Sequence, residues 1–239
     1  MENKMKAFHG KQSIKDEYMN RLKDHRERDE IVKGHYWQGG KGCAVGCTIH
    51  GNNHKSYEEE LGIPMVLAKL EDSIFEELPN EEAKEFPLNF LSVINVGADL
   101  SSVGDKFLHW LLVDKIHGVI QYVENKKIIR DIADLYKRKI DGEYIHIDEW
   151  EAVNAAADYI VIDDPTDSSF TARAARAASN AARAVDASNA VVAAVAAIAT
   201  ATVAVAIANA HAHAAVYKAR TAQAAKLIEL LKETKSKEV

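Results

Sequence analysis

Four potential metal ligands occur close together in the first third of the chain. Cys43, Cys47, His50 and His54 follow one another at spacings of four, three and four residues. Tetrahedral zinc accepts two thiolates and two imidazoles, so these side chains predict a zinc site. Structural zinc sites usually separate two ligand pairs by a longer insert, whereas all four ligands here fall within twelve residues. Other interpretations of the segment therefore stay open.

A second interpretation is a cysteine-dependent enzyme that acts on a small molecule. Cys43 and Cys47 follow a glycine-rich stretch that contains Lys41. Positive charge favours the thiolate, which is the nucleophilic form of cysteine. In this hypothesis Cys43 or Cys47 is the nucleophile, and a neighbouring histidine such as His50 is the base.

A third interpretation is an anion-binding loop. Backbone N–H groups at Gly40 and Gly42 could hold a phosphate beside Lys41, with Trp37 as a wall of the ligand site. The stretch is not a P-loop, because Gly40 stands where that motif needs lysine and no Ser or Thr follows Lys41. The fourth interpretation is tight packing, with both cysteines as small buried hydrophobic residues.

The surrounding sequence predicts helices. Good helix formers and an apolar face predict a helix from Lys11 to Lys33, which Gly34 would end. Six glycines between residues 34 and 54 predict a loop. Pro64 is suited to begin a helix that runs to Leu78, and Pro87 to begin another that runs to about Val96.

The last third of the chain differs in composition. After a polar stretch at residues 163–168, the sequence contains neither proline nor glycine, and alanine makes up half of residues 172–225. Alanine is the strongest helix former, so we expect a long helix or a helical hairpin there. Such a helix buries little by itself, and its small side chains favour self-association. We therefore predict an all-α protein with a helical globular domain at residues 1–164 and an alanine-rich helical segment at residues 165–239.

Composition also bears on partners and location. The net charge of -6 argues against nucleic acid as the main partner. Residues 190–208 carry no charge and are long enough to cross a bilayer, but alanine has little preference for lipid and the flanking charges show little asymmetry. We therefore expect no membrane segment. The polar N-terminus and the presence of only two cysteines predict a cytoplasmic protein.

Several short stretches resemble a group of uncharacterised bacterial and phage proteins. They comprise GKGCAVGC at residues 40–47, ELGIP at 60–64, LAKLED at 67–72 and VGADL at 96–100. The resemblance covers about residues 6–114 and implies a bacterial or viral source without implying a function. The sequence as a whole favours a non-enzymatic binding or interaction protein. Its small-ligand or metal site would lie near residues 34–54, and its tail would drive self-association.

Overall fold

The computed structural model describes residues 5–122, 126–153 and 212–235. Helices account for 67% of the described residues and strands for 4%, which confirms the predicted all-α fold. Residues 147–153 are also helical. The main helices are α1 (Gln12–Glu27), α2 (Ala44–Ile49), α3 (Ser56–Leu61), α4 (Met65–Glu77), α5 (Asn80–Val93), α6 (Val103–Val113), α7 (Lys126–Ile140) and α8 (Ala212–Lys232).

The chain forms two compact units. Met1–Val103 and Gln223–Val239 make up the first, and Gly104–Ala222 make up the second. In the first unit, the amide of Asn95 donates a hydrogen bond to the carbonyl oxygen of Thr234 over 2.8 Å. The candidate residues at positions 34–54 all belong to this unit. The boundary predicted near residue 165 lies outside the described residues.

The short helix α2 lies at the centre of the first unit. It contacts α1, α4 and α5, and residues 44–48 are buried. Six residues are too few for a helix that is stable in isolation, so these contacts must hold it in place. Both ends of α2 therefore have positions set by tertiary packing.

A small hairpin precedes α2. Strand β1 (Trp37–Gln38) pairs antiparallel with strand β2 (Lys41–Gly42). Gly39 and Gly40 form the turn with φ angles of 60° and 84°, a conformation that favours glycine. The sequence prediction of a loop for residues 34–53 was therefore wrong where the hairpin and α2 form, because several of the glycines serve a tight turn and close packing.

Two glycines allow the hairpin to approach α2. A Cβ atom at Gly42 or at Gly46 would lie closer than 3.0 Å to the carbonyl oxygen of Tyr36. Backbone thus packs directly on backbone at these positions, which only glycine permits. The contact fixes the hairpin against the helix.

The ends of two helices differ from the sequence predictions. Helix α1 ends at Glu27 rather than at Lys33, because Asp29 has a φ of 54° and Ile31 then pairs with Gly42. Pro87 lies inside α5 and is buried, so it does not begin a separate helix. This position removes one backbone hydrogen bond, which packing of the buried face must offset.

Helix α4 agrees with its prediction. It spans Met65–Glu77 with Pro64 as the residue before its first turn, within one residue of the predicted bounds. Among the described residues, no helix is both long enough and apolar enough to cross a membrane. The uncharged stretch at residues 190–208 lies outside them.

Candidate functional site

Three potential metal ligands converge where α2 meets α4. Cys43 precedes the first residue of α2, and Asp72 and Glu76 lie four residues apart on α4, so they share one face of that helix. The Cys43 sulfur and one carboxylate oxygen from each acid lie within 4.8 Å of one another. We call Cys43, Asp72 and Glu76 the acidic cluster.

Polar neighbours surround the acidic cluster. The Nε2 atom of His54 lies 3.2 Å from Oδ2 of Asp72, and the N–H of Gly34 donates to the Glu76 carboxylate over 2.9 Å. The other Asp72 oxygen, Oδ1, is inaccessible to solvent and has no hydrogen-bond partner among the described residues. A buried oxygen without a donor is costly, so Asp72 has capacity for a further ligand.

Burial opposes the charged forms in this cluster. Cys43 is 1% exposed, and burial, followed by the nearby charge of Asp72, raises the pKa of its thiol. Burial also raises the pKa of the Glu76 carboxyl, although the Gly34 N–H acts in the opposite direction. A positive ion at this position would reverse these effects by stabilising the thiolate and both carboxylates.

Cys47 has a different environment. Its sulfur lies 3.3 Å from the carbonyl oxygen of Gly42 and 3.6 Å from that of Glu30, so the thiol donates to backbone. Burial raises its pKa to about 12. Both cysteines are free and buried, whereas a nucleophilic cysteine needs a lowered pKa and access to solvent.

At the other end of α2, His50 belongs to a chain of hydrogen-bonded groups. His50 follows the last residue of the helix with a φ of 52°, and its Nε2 lies 2.8 Å from Nε2 of His25. The Nδ1 of His25 lies 2.7 Å from the Glu30 carboxylate. The ring of Trp37 stacks on His50 with centroids 4.3 Å apart and planes inclined by 14°. We call Glu30, His25 and His50 the histidine relay.

The hydrogen-bond distances limit where the protons of the relay can lie. An ionised carboxylate only accepts hydrogen bonds, so Nδ1 of His25 carries a proton. When both rings are neutral, Nε2 of His25 is an acceptor and Nε2 of His50 donates to it. In that arrangement Nδ1 of His50 has a free lone pair.

Positive charge flanks the relay. Burial lowers the pKa of His50, and the guanidinium groups of Arg21 and Arg28 lower it further. Arg21 donates to the carbonyl oxygen of Thr48 over 2.8 Å, and Arg28 donates to Glu30 over 2.9 Å. His50 is nevertheless an exposed side chain, so the relay ends at the surface with a neutral imidazole at physiological pH.

The predicted anion loop uses much of its backbone internally. The N–H of Gly42 donates to the Glu30 carbonyl oxygen over 3.1 Å, and the N–H of Cys43 donates to that of His35 over 2.7 Å. Lys41 is exposed, and Gly40 lies in the hairpin turn. The loop therefore does not offer the N–H of Gly42 to a phosphate.

The four ligands predicted from the sequence do not converge on one point. Helix α2 places Cys43 before its first turn and His50 after its last, so the two side chains lie at opposite ends of the helix. Cys43 joins Asp72 and Glu76, while His50 joins His25.

Four residues of these two groups were not among the site residues predicted from the sequence. The two acids had a usable signal, because residues four apart on an acidic helix face lie side by side. His25 also had one, since it follows Leu22 by three residues and both are buried on α1. Glu30 had none, because it lies beyond the unexpected end of α1. The missed residues are His25, Glu30, Asp72 and Glu76.

Comparisons of the chain with protein families, with curated proteins and with solved structures give no match. Any assignment of function must therefore come from the geometry of these two groups.

Proposed function

We propose that this protein binds a divalent metal ion, zinc in the first instance, through Cys43, Asp72 and Glu76. The observation that carries the proposal is the convergence of one sulfur and two carboxylate oxygens within 4.8 Å. The Oδ1 atom of Asp72, which is inaccessible to solvent and receives no N–H or O–H among the described residues, also supports it.

The dimensions of the acidic cluster suit a small ion. Ligand atoms around tetrahedral zinc lie roughly 3.3 to 3.8 Å apart, as follows from bond lengths of about 2.0 to 2.3 Å. The ligand atoms of the cluster all lie within 4.8 Å of one another, so zinc binding would draw any two of them together by about 1.5 Å at most.

The donor set selects the type of metal. A thiolate is a soft ligand that magnesium and calcium do not favour, whereas zinc accepts both sulfur and carboxylate oxygen. His54 would donate its N–H to Asp72 and orient that carboxylate, as the outer partners of metal ligands commonly do. Three protein ligands leave a fourth position for water or a small ligand.

The burial of both cysteines weighs against the alternative of a cysteine-dependent enzyme. A thiolate at Cys43 or Cys47 is disfavoured without a metal, and neither sulfur is open to a substrate. Zinc would instead make use of the Cys43 thiol by displacing its proton. We therefore favour a binding function over a cysteine-dependent enzyme.

We also propose that residues 165–239 drive self-association and that the protein works in the cytoplasm. The alanine-rich composition supports the first point, and two free cysteines suited to a reducing compartment support the second. Native mass spectrometry of the full chain tests self-association: a series of masses that are multiples of the monomer is expected, and a monomer at micromolar concentration would contradict it.

Zinc titration of the full chain tests the metal proposal. We expect one zinc ion per chain, with affinity lowered roughly 100-fold or more in Asp72→Asn and Glu76→Gln, since each removes a ligand. Cys47→Ser is the matched control, because its sulfur lies outside the acidic cluster. Circular dichroism establishes that each variant is folded. Equal affinity in all variants, or no binding to the wild type, would refute the proposal.

A further inference from the structure

The histidine relay presents a neutral imidazole nitrogen at the protein surface. When both rings of the relay are neutral, Nε2 of His50 carries the proton donated to His25, and Nδ1 is unprotonated. Stacking on Trp37 fixes the plane of the ring. His50 is therefore an oriented side chain with an available lone pair, which is the requirement for a nucleophile.

The charges around His50 indicate what it would react with. Arg21 donates to the carbonyl oxygen of Thr48, two residues before His50, and Arg28 donates to the Glu30 carboxylate of the relay. Together with His25 and Glu30, these two arginines are the charged or titratable groups that act on His50. A cation is poorly suited to a position near two guanidinium groups. A phosphoryl group is suited to it, because guanidinium donors match phosphate oxygens in charge and geometry.

We propose that His50 is a phosphoryl acceptor that takes a phosphoryl group on Nδ1 from a small activated donor, such as an acyl phosphate or a phosphoramidate. The exposed position of His50 lets a donor reach it without a deep pocket. His50, His25 and Glu30 lie outside the acidic cluster, so phosphoryl transfer to His50 does not require the metal site.

Proton and electron pairs balance in this step. The lone pair on Nδ1 of His50 attacks phosphorus, and the bond from phosphorus to the leaving group breaks. The leaving group, a carboxylate or ammonia, departs with that electron pair. The proton on Nε2 of His50 passes to Nε2 of His25, and the resulting imidazolium is stabilised by the Glu30 carboxylate at its Nδ1. His25 and Glu30 are thus positioning residues.

The experiment is incubation of the full-length protein with phosphoramidate in the presence of EDTA. Intact mass spectrometry follows the reaction, and ³¹P NMR identifies a phosphorus–nitrogen bond. We expect one acid-labile phosphoryl group per chain, located on His50, that forms at least about tenfold faster than on His35, which is exposed but lacks such a relay. An even distribution over the exposed histidines would overturn the proposal.

Single substitutions test the individual residues of the histidine relay. His50→Asn should abolish the fast reaction, and asparagine tolerates the left-handed backbone at this position. His35→Asn should react like the wild type, and His25→Gln roughly tenfold more slowly. Unchanged fast labelling in a folded His50→Asn protein would refute the assignment.

A structural role for His25 is distinguished by the solvent isotope effect. The wild-type rate should fall about twofold in D₂O, because a proton moves in the rate-limiting step, and the effect should disappear in His25→Gln. Equal isotope effects in the two proteins would rule out proton transfer through His25.

Discussion

The two ends of α2 differ in almost every property that determines side-chain chemistry. Before the helix, Cys43 is buried beside two carboxyl groups, and burial raises the pKa of its thiol. After the helix, His50 is exposed, and partial burial together with the positive charges of Arg21 and Arg28 lowers the pKa of its imidazole. Both residue types are common metal ligands and nucleophiles. Exposure and neighbouring charge, rather than residue type, distinguish the two ends.

Gly46→Ala should have the largest effect on stability and binding, because it disturbs the packing that holds both ends of α2. The added Cβ would overlap the Tyr36 carbonyl oxygen, so we expect the free energy of unfolding to fall by about 3 kcal/mol, with loss of zinc binding and of phosphoryl transfer to His50. Urea denaturation measures the change. Gly51→Ala is the control, since its nearest contact would be an ordinary 3.8 Å. Equal stability of the two variants would contradict the close packing.

The second largest effect concerns the rate at which iodoacetamide alkylates the two cysteines. The pKa of Cys47 is raised by burial to about 12 from 9.0, which lowers its thiolate fraction about a thousandfold at neutral pH. Burial acts in the same direction on Cys43. Mass spectrometry should therefore find both cysteines unmodified in the native protein and both modified in urea. Rapid native labelling of Cys43 would restore the cysteine-enzyme hypothesis.

Zinc affinity should depend strongly on pH at the acidic cluster. Because the pKa of the Cys43 thiol is raised, zinc must displace its proton, and affinity should rise about 100-fold between pH 6 and pH 8. Because the pKa of His50 lies below 6.5, its reaction with phosphoramidate should change little between pH 7 and pH 8. Isothermal titration in buffers with different ionisation enthalpies should show proton release. A zinc affinity that is independent of pH would exclude Cys43 as a ligand.

Glu30→Gln should have the smallest effect of the four, confined to the histidine relay. An amide cannot stabilise the imidazolium of His25 as the carboxylate does, so we expect phosphoryl transfer to slow about fivefold while zinc affinity stays constant. The exposed Glu27→Gln is the matched control. If both variants react alike, the Glu30 carboxylate has no part in the relay.

The fold was largely predictable from local patterns. The apolar stripe after Pro64 predicted α4 to within one residue, because that stripe is the face that packs into the core. The end of α1 was not predictable, because the pairing of Ile31 with Gly42 is a tertiary contact, and no glycine or proline near Glu27 marks the end of the helix. The prediction that Pro87 begins a helix was wrong for a similar reason, because packing around this residue offsets the lost hydrogen bond.

The sequence predicted some of the residues of the candidate site, but not which of them lie together. The sequence identified Cys43 and His50 as residues that could do chemistry, yet their nearness in sequence suggested a shared ligand. The six residues of α2 separate them, and their partners come from other helices. Asp72 and Glu76 follow Cys43 by about 30 residues, a distance over which spacing alone carries no information.

The stacking of Trp37 on His50 gives the protein a built-in optical reporter. An excited indole loses its energy more readily to a positively charged imidazole than to a neutral one, so emission from Trp37 should dim whenever His50 acquires positive charge. Subtracting the spectrum of a Trp37→Phe protein isolates this signal from the other two tryptophans. The state of the exposed ring can thus be followed in real time, without any label, by fluorescence.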